Sequence, residues 1–271
     1  MRRLPREVRM HVVVCMKQVP SSEARIAVSA DGRTIDRTGL EMVINPYDEY
    51  AIEEALRVRE KFGGSVTVLS LGAGKVEEAL RTCLAMGADS ALILKEEALT
   101  GSDSHGTAQI LASAIRPLGA DLILFGKISI DVENHATGVA VAEILGLPHV
   151  SVATKIDWTD ERHLKVHREI EGATELVEVE LPAVLTANKG LNEPRYPSLP
   201  GIMKAKKKPI EELTAAGLAI DLAAHGAAGS QLEIAKLVPP PARTAGQVFK
   251  GEARESVLAV LKGLREERKL V

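Results

Sequence analysis

Four short apolar runs, each followed by a stretch of helical spacing, leave this chain few ways to fold. His11–Met16 contains Val12, Val13 and Val14 in succession, and Val66–Leu71, Ala91–Leu94 and Leu122–Phe125 repeat the pattern. Consecutive β-branched and apolar residues belong to strands buried on both faces, as in parallel sheets. Between the runs, Asn45-Pro46-Tyr47-Asp48 puts asparagine at an N-cap, proline at the first helical position and an acid in the first turn. Ile52, Ala55, Leu56 and Phe62 continue that helix to Gly63-Gly64. Ala79, Leu80, Cys83 and Leu84 mark a second helix, and Ile110, Leu111 and Ile115 a third that starts at Ser104 or His105. Val139–Leu145 forms a fourth, stopped by Gly146 and Pro148. This alternation predicts an α/β fold: a parallel sheet with right-handed crossovers and helices on both faces, Rossmann-like and suited to nucleotides.

Ligands of such sheets bind beyond the carboxyl ends of the strands. That gives four rim candidates: Cys15–Gln18, Leu71–Gly74, Lys95–Glu97 and Gly126–Thr137, with the helix start at Asn45–Asp48 near the same rim. The fourth is the most informative. Asp121–Gly126 reads as a strand, residues 127–138 as a polar loop and Val139 onward as a helix. Backbone N–H groups at such a helix start converge on an anion, so the segment has the outline of a nucleotide-phosphate site; an ordinary βα turn shares that outline. No Gly-x-Gly-x-x-Gly and no Gly-x-x-x-x-Gly-Lys-Ser/Thr follows any strand, against a dinucleotide dehydrogenase or a phosphate-loop hydrolase. Histidines are scattered without metal-ligand spacing, His105 and His135 read as caps or surface residues, and no Gly-x-Ser-x-Gly occurs; no metal site and no catalytic constellation is expected.

From Val150 the pattern changes. Val152–Ile156, Leu164–Ile170, Thr174–Glu180 and Ala183–Thr186 read as strands, and the alternation of the middle two predicts an antiparallel extension with one wet face. Arg25–Val28 and Thr34–Asp36 flank Asp31-Gly32, a hairpin signal. Asn188–Pro200 reads as an exposed loop, Lys204–Lys208 as a solvated basic run, Leu213–Gln247 as an extended arm, and Glu252–Arg268 as a final amphipathic helix. The expected organisation is a nucleotide-binding domain over residues 1–210, with an exposed loop at 188–204, and an arm and helix over 211–271. A net charge of −3 and 3% aromatic residues argue against nucleic acid. No apolar run reaches the ~20 residues that cross a bilayer, so the chain is not expected to be membrane-embedded. Cys15 and Cys83 lie in apolar segments; buried free thiols are expected, fitting the reducing cytoplasm. Met1–Arg6 is basic without the apolar core of a signal peptide, and reads as a frayed tail or as a start placed ahead of Met10.

Leu191-Asn192-Glu193-Pro194-Arg195-Tyr196-Pro197-Ser198-Leu199-Pro200-Gly201-Ile202-Met203-Lys204-Ala205-Lys206-Lys207-Lys208 resembles the signature of the electron transfer flavoprotein beta subunit. Val14-Cys15-Met16-Lys17-Gln18-Val19-Pro20, Ile44-Asn45-Pro46-Tyr47, Leu84–Asp89, Gly126-Lys127 with Ile130-Asp131, and Pro241-Ala242-Arg243-Thr244-Ala245-Gly246 match the same family, from about residue 10 to the end. The resemblance implies a heterodimer with an alpha subunit that holds the redox-active FAD, an electron carrier rather than an enzyme. It implies acyl-CoA dehydrogenase-type donors and a membrane quinone oxidoreductase as acceptor. A stand-alone nucleotide-binding module is the alternative from another class.

The family's nucleotide residues carry over to Cys15, Asn45, Pro46, Tyr47, Asp48, Leu71, Gly126, Lys127, Ile128, Ser129, Ile130, Asp131, Val132, Glu133, Asn134, His135, Ala136 and Thr137. They take in three of the four rim candidates and leave Lys95–Glu97 empty. Amides of residues 131–137 and the Thr137 hydroxyl would hold phosphate, with backbone near Cys15 and Leu71 on adenine. Leu199, flanked by Tyr196 and Met203, corresponds to the anchor that plugs into dehydrogenases. Lys204, with Lys206 and Lys207, would steer acidic partners, and Glu169 corresponds to an acid that positions the mobile flavin domain. Plain carriers hold AMP here; bifurcating members hold a second FAD that oxidises NADH, and usually read Asp-Gly-Asp-Thr-Ala-Gln-Val-Gly in the loop. Asp131-Val132-Glu133-Asn134-His135-Ala136-Thr137-Gly138 puts Val132 in place of a glycine, and favours AMP over FAD. Asn134-His135-Ala136 departs also from the Cys-Asn-Gln of plain carriers.

Overall fold

The computed structural model describes residues 9–72, 74–242 and 245–270. Met1–Arg6, Ala73 of the Gly72-Ala73-Gly74 turn, and Arg243 and Thr244 of the Pro241–Gly246 match lie outside the described residues. Two compact units divide the chain: residues 1–26 with 36–235, and residues 27–35 with 236–271.

The first unit is built on strands Met10–Cys15 (β1) and Gln18–Pro20 (β2). The second unit begins with Ala27–Val28 (β3), and Ile35–Asp36 (β4) spans the division. Met42–Ile44 (β5) then leads into helix Pro46–Phe62 (α1). Next come Gly64–Leu71 (β6), helix Val76–Met86 (α2), Ser90–Leu94 (β7), helix Ser104–Ile115 (α3), Leu122–Gly126 (β8) and helix Thr137–Leu145 (α4). His149–Trp158 (β9), His163–Ile170 (β10), Ala173–Glu180 (β11) and Ala183–Ala187 (β12) follow, then helix Leu199–Ala205 (α5), Glu211–Leu213 (β13), the short turn Gly226–Gly229 (α6) and helix Ala253–Lys262 (α7).

Nine strands form one sheet in the order β11-β10-β9-β12-β8-β1-β6-β7-β13. From β9 to β13 neighbouring strands are parallel; β10 and β11 extend the β9 edge in antiparallel register. The α/β fold expected from the alternation is therefore present. The valine run of β1 explains its own burial: Val12 and Val14 pack into the core layer under α1 and α2, while Val13 and Cys15 pack into the opposite layer under α3 and α4. Leu122 and Leu124 of β8 join the first layer, Ile123 and Phe125 the second. Successive strand residues face opposite ways, so a strand with helices on both faces has no polar position to give up.

Three features differ from the sequence reading. Strands β2 and β5 pair antiparallel in a small separate sheet beside the rim; at three residues each they are too short to show a period. Strand β12, the last of its run, returns to lie between β9 and β8, parallel to both. Leu199–Ala205, inside the stretch read as loop and basic run, is a helix capped by Ser198, whose hydroxyl accepts from Gly201 N at 3.1 Å. Beyond Leu213 regular structure is sparse, and the first unit takes in the chain as far as Ala235. In the second unit the Asp31-Gly32 turn is closed by Ser29 N donating to Thr34 O at 2.9 Å, and Leu237 N donates to Gly32 O at 2.8 Å. Helix α7 leaves Val257 and Leu258 exposed.

Candidate functional site

The carboxyl ends of β1, β6 and β8 share one rim, because the three strands are neighbours and parallel. That brings Cys15, Leu71 and Gly126 to the same edge, each the last residue of its strand. Helix α1 begins at this edge, and its first turn is turned inward. Asp48 is 5% exposed, and its carboxylate accepts from Lys17 N at 2.7 Å, Asn45 Nδ2 at 2.9 Å and Gly126 N at 3.0 Å. It ties the ends of β1 and β8 to the start of α1. Burial pushes its pKa up to about 7 against these donors and the Lys17 charge, which pull it down. Gly126 is required here: a Cβ would lie within 2.7 Å of Tyr47 Cβ and closer still to the Asp48 carboxylate.

Asn45 holds the N-cap position of α1, yet its side chain makes no cap bond. The amide is spent on the loop after β8 instead: Nδ2 donates to Ile128 O at 2.7 Å and Oδ1 accepts from Ile130 N at 3.2 Å. Pro46 follows at the first helical position, as expected. Lys127 N donates to Ala187 O at 2.9 Å, and its ammonium stands 5.3 Å from the Tyr47 ring centroid. Ser129 O then accepts from Glu133 N at 2.9 Å, folding residues 129–133 into a turn. Val132 is 57% exposed, and Glu133 and His135 both take left-handed backbone, with φ of 54° and 52°. A non-glycine residue in that region is strained, which is common in loops shaped for a ligand. Asn134 Nδ2 donates to Ser104 Oγ at the start of α3.

Helix α4 opens at Thr137 with Ala136 at the N-cap, and no side chain caps it among the described residues. A helix start without a side-chain cap is of the kind that suits a phosphate. Lys17 Nζ, a residue absent from the expected set, donates to Asp131 Oδ1 at 2.8 Å and to Ser129 Oγ at 3.3 Å. Its signals in the sequence were its place in the Cys15–Gln18 rim candidate and in the Val14–Pro20 match. The donor set, an uncapped helix start and two lysines, fits an anionic nucleotide. Cys15 is 5% exposed and its thiol is pushed well up by burial and by Asp48, so it is not a nucleophile at this rim. The rim candidate at Lys95–Glu97 is closed differently: Lys95 pairs with Glu77 and Glu212.

Away from the rim, Tyr196, Leu199 and Met203 are 94%, 80% and 61% exposed, and Lys204 is exposed beside them. The segment that carries them is not loose. Asn188 and Leu191 are buried, Asn192 Nδ2 donates to Tyr50 O at 2.9 Å and to Glu54 Oε2 at 3.0 Å, and Arg195 forks onto Glu53 at 2.7 and 2.9 Å. Arg195 also donates to Glu60 at 2.6 Å. These clamps on α1 were missed, because acids on a helix read as its solvated face. Gly201 lets α5 press against Ala85 O of α2, and Arg81 donates to Ala205 O at 3.0 Å. Glu169, on β10, accepts from Asn188 Nδ2 at 2.7 Å.

Among the described residues no cluster of His, Cys, Asp and Glu is set to hold a metal, and no helix is long and apolar enough to cross a membrane. Cys15 and Cys83 are buried and free. The family model of the electron transfer flavoprotein domain matches residues 32–218. The electron transfer flavoprotein subunit beta of Bacillus subtilis is 39% identical over 265 residues, 97% of this chain and 100% of that protein. That of Thermoanaerobacterium thermosaccharolyticum is 39% identical over 249 residues, 92% of this chain and 95% of the relative. The caffeyl-CoA reductase-Etf complex subunit CarD of Acetobacterium woodii is 33% identical over 264 residues, 97% and 100% of the two chains.

Proposed function

Since this chain belongs to the electron transfer flavoprotein family, among its beta subunits, we propose that it holds a structural AMP at the 126–137 loop and serves an alpha subunit that carries FAD. The observation that carries the reading is the polar loop running into the uncapped start of α4. In this reading the amides of residues 131–137 and the Thr137 hydroxyl bind phosphate, Lys17 and Lys127 offset its charge, and backbone near Cys15 and Leu71 meets adenine. Asn45 and Asp48, among the residues expected to touch the nucleotide, also fix the loop and both strand ends. Val132 fills the position where bifurcating loops have glycine, which supports AMP over a longer nucleotide. AMP brings no redox chemistry, and the electrons pass through the flavin of the alpha subunit.

The exposed Tyr196, Leu199 and Met203, with Lys204 beside them, then form the docking surface for acyl-CoA dehydrogenase-type donors, and a membrane quinone oxidoreductase takes the electrons onward. Glu169 positions the mobile flavin domain, and residues 211–271 pack on the alpha subunit, leaving 1–210 as the nucleotide-binding domain. The buried free thiols support a cytoplasmic setting. The test is to denature the purified heterodimer and identify its nucleotides. One AMP and one FAD are expected; two FAD and no AMP overturn the assignment. A second reading, FAD in this subunit oxidising NADH, draws on the 33% identity to the caffeyl-CoA reductase-Etf complex subunit. Bleaching of a flavin by NADH supports it, and a flavin inert to NADH rejects it.

A further inference from the structure

Lys17 is fastened at one end and extended at the other. Its backbone N–H donates to the buried Asp48 at 2.7 Å, so its main chain is fixed to the rim. Its ammonium crosses to the middle of the phosphate-type loop, at 2.8 Å from Asp131 Oδ1 and 3.3 Å from Ser129 Oγ. The side chains are 44% and 17% exposed, so the pair lies at the mouth of the site and not in the core. Asn45 holds the same loop at Ile128 and Ile130, and Asn134 holds it at Ser104. The span between those ties contains the strained Glu133 and exposed Val132. Asp131 also brings a negative charge to a loop expected to bind an anion, and without a partner that charge opposes a phosphate.

We propose that Lys17 is a positioning residue for the nucleotide: its pair with Asp131 braces residues 129–137 in the gripping geometry and cancels a carboxylate that would repel phosphate, and so sets how long the nucleotide stays. This rests on the reading of the loop as the phosphate site. Neither tie alone does both tasks. Asn45 is neutral and acts through the backbone, whereas Lys17 contributes charge and reach.

The experiment uses the complete heterodimer, loaded with radiolabelled AMP and chased with excess unlabelled AMP. Lys17→Gln is expected to release AMP about two- to fivefold faster, the range of a half-exposed ion pair. Wild-type release should quicken with salt and that of Lys17→Gln should not. The exchanged pair, Lys17→Asp with Asp131→Lys, should recover slow release, and hydrogen exchange over residues 128–136 should rise in Lys17→Gln and fall back in the exchanged pair. Equal release rates in wild type and Lys17→Gln at low and high salt overturn the proposal while leaving the site in place. Retained AMP whose release ignores Lys17→Gln, and which gives residues 128–136 no protection, places the nucleotide elsewhere and overturns both.

Discussion

At the scale of single residues, two polar side chains serve uses that their positions do not announce. Asp48 looks like an ordinary first-turn acid, favourable to the helix dipole. It is in fact a buried knot with a pKa pushed up to about 7 from 3.8. A carboxyl whose folded pKa is raised binds its proton more tightly in the folded state than in the unfolded one. Its contribution to stability is full below about pH 4 and is lost as pH rises through about 7, at ~1.4 kcal/mol for each tenfold in proton affinity. Asp48→Asn should flatten that fall, which urea unfolding at pH 5 and pH 7.5 measures as a smaller difference between the two midpoints than in wild type. The second is Arg195, whose fork on Glu53 was not legible, because a helix acid and an arginine far along the chain share no local pattern. Arg195→Ala leaves Glu53, 5% exposed, without its cation and should cost about 2–4 kcal/mol in urea unfolding at pH 7. Lysine at the same place restores only part, since it lacks the fork.

At the scale of elements, what the sequence displays depends on how an element is buried. The central strands show plainly because both faces are covered, so each is an unbroken apolar run. Helix α1 shows because Pro46 and Gly63 punctuate it. Helix α5 does not, since Pro197, Pro200 and Gly201 look like loop residues; the overlooked signal was Ser198 three residues before Gly201, an N-cap spacing. The helix changes the physics of the anchor. Leu199 stands on a short rigid platform fixed to α2, so in the proposed docking it would lose little freedom. Leu199→Ala should slow electron uptake from a dehydrogenase yet move the unfolding midpoint by no more than about 0.5 kcal/mol, as for a surface site. Gly201→Ala should do the reverse in part: a Cβ there runs into Ala85 O, which should cost about 1–3 kcal/mol and shift the whole platform. Stopped-flow reduction and thermal unfolding of the two variants separate these effects.

At the scale of the molecule, the family and the parallel sheet were readable, but the order of strands was not. Nothing in residues 183–187 says that β12 goes between β8 and β9; that follows from pairings far apart in sequence. The loop proposed to hold a nucleotide was readable as a polar segment between β8 and α4, and its internal ties less so. Lys17 and the inward turn of Asn45 arise only when three strand ends and one helix meet. If AMP braces that meeting point, removing it should lower the unfolding temperature of the complex, and AMP at 100 times its Kd should restore about 2.7 kcal/mol. Calorimetry on stripped and reloaded heterodimer reads this directly.

The late arrival of β12 has a consequence for the chain during its synthesis. Until residue 187 has emerged from the ribosome, β8 and β9 have no strand to join them, and β8 presents a bare apolar edge to its surroundings. A polypeptide halted at about residue 182 should therefore stick to its neighbours or to a chaperone, while one released just past 187 can close its sheet.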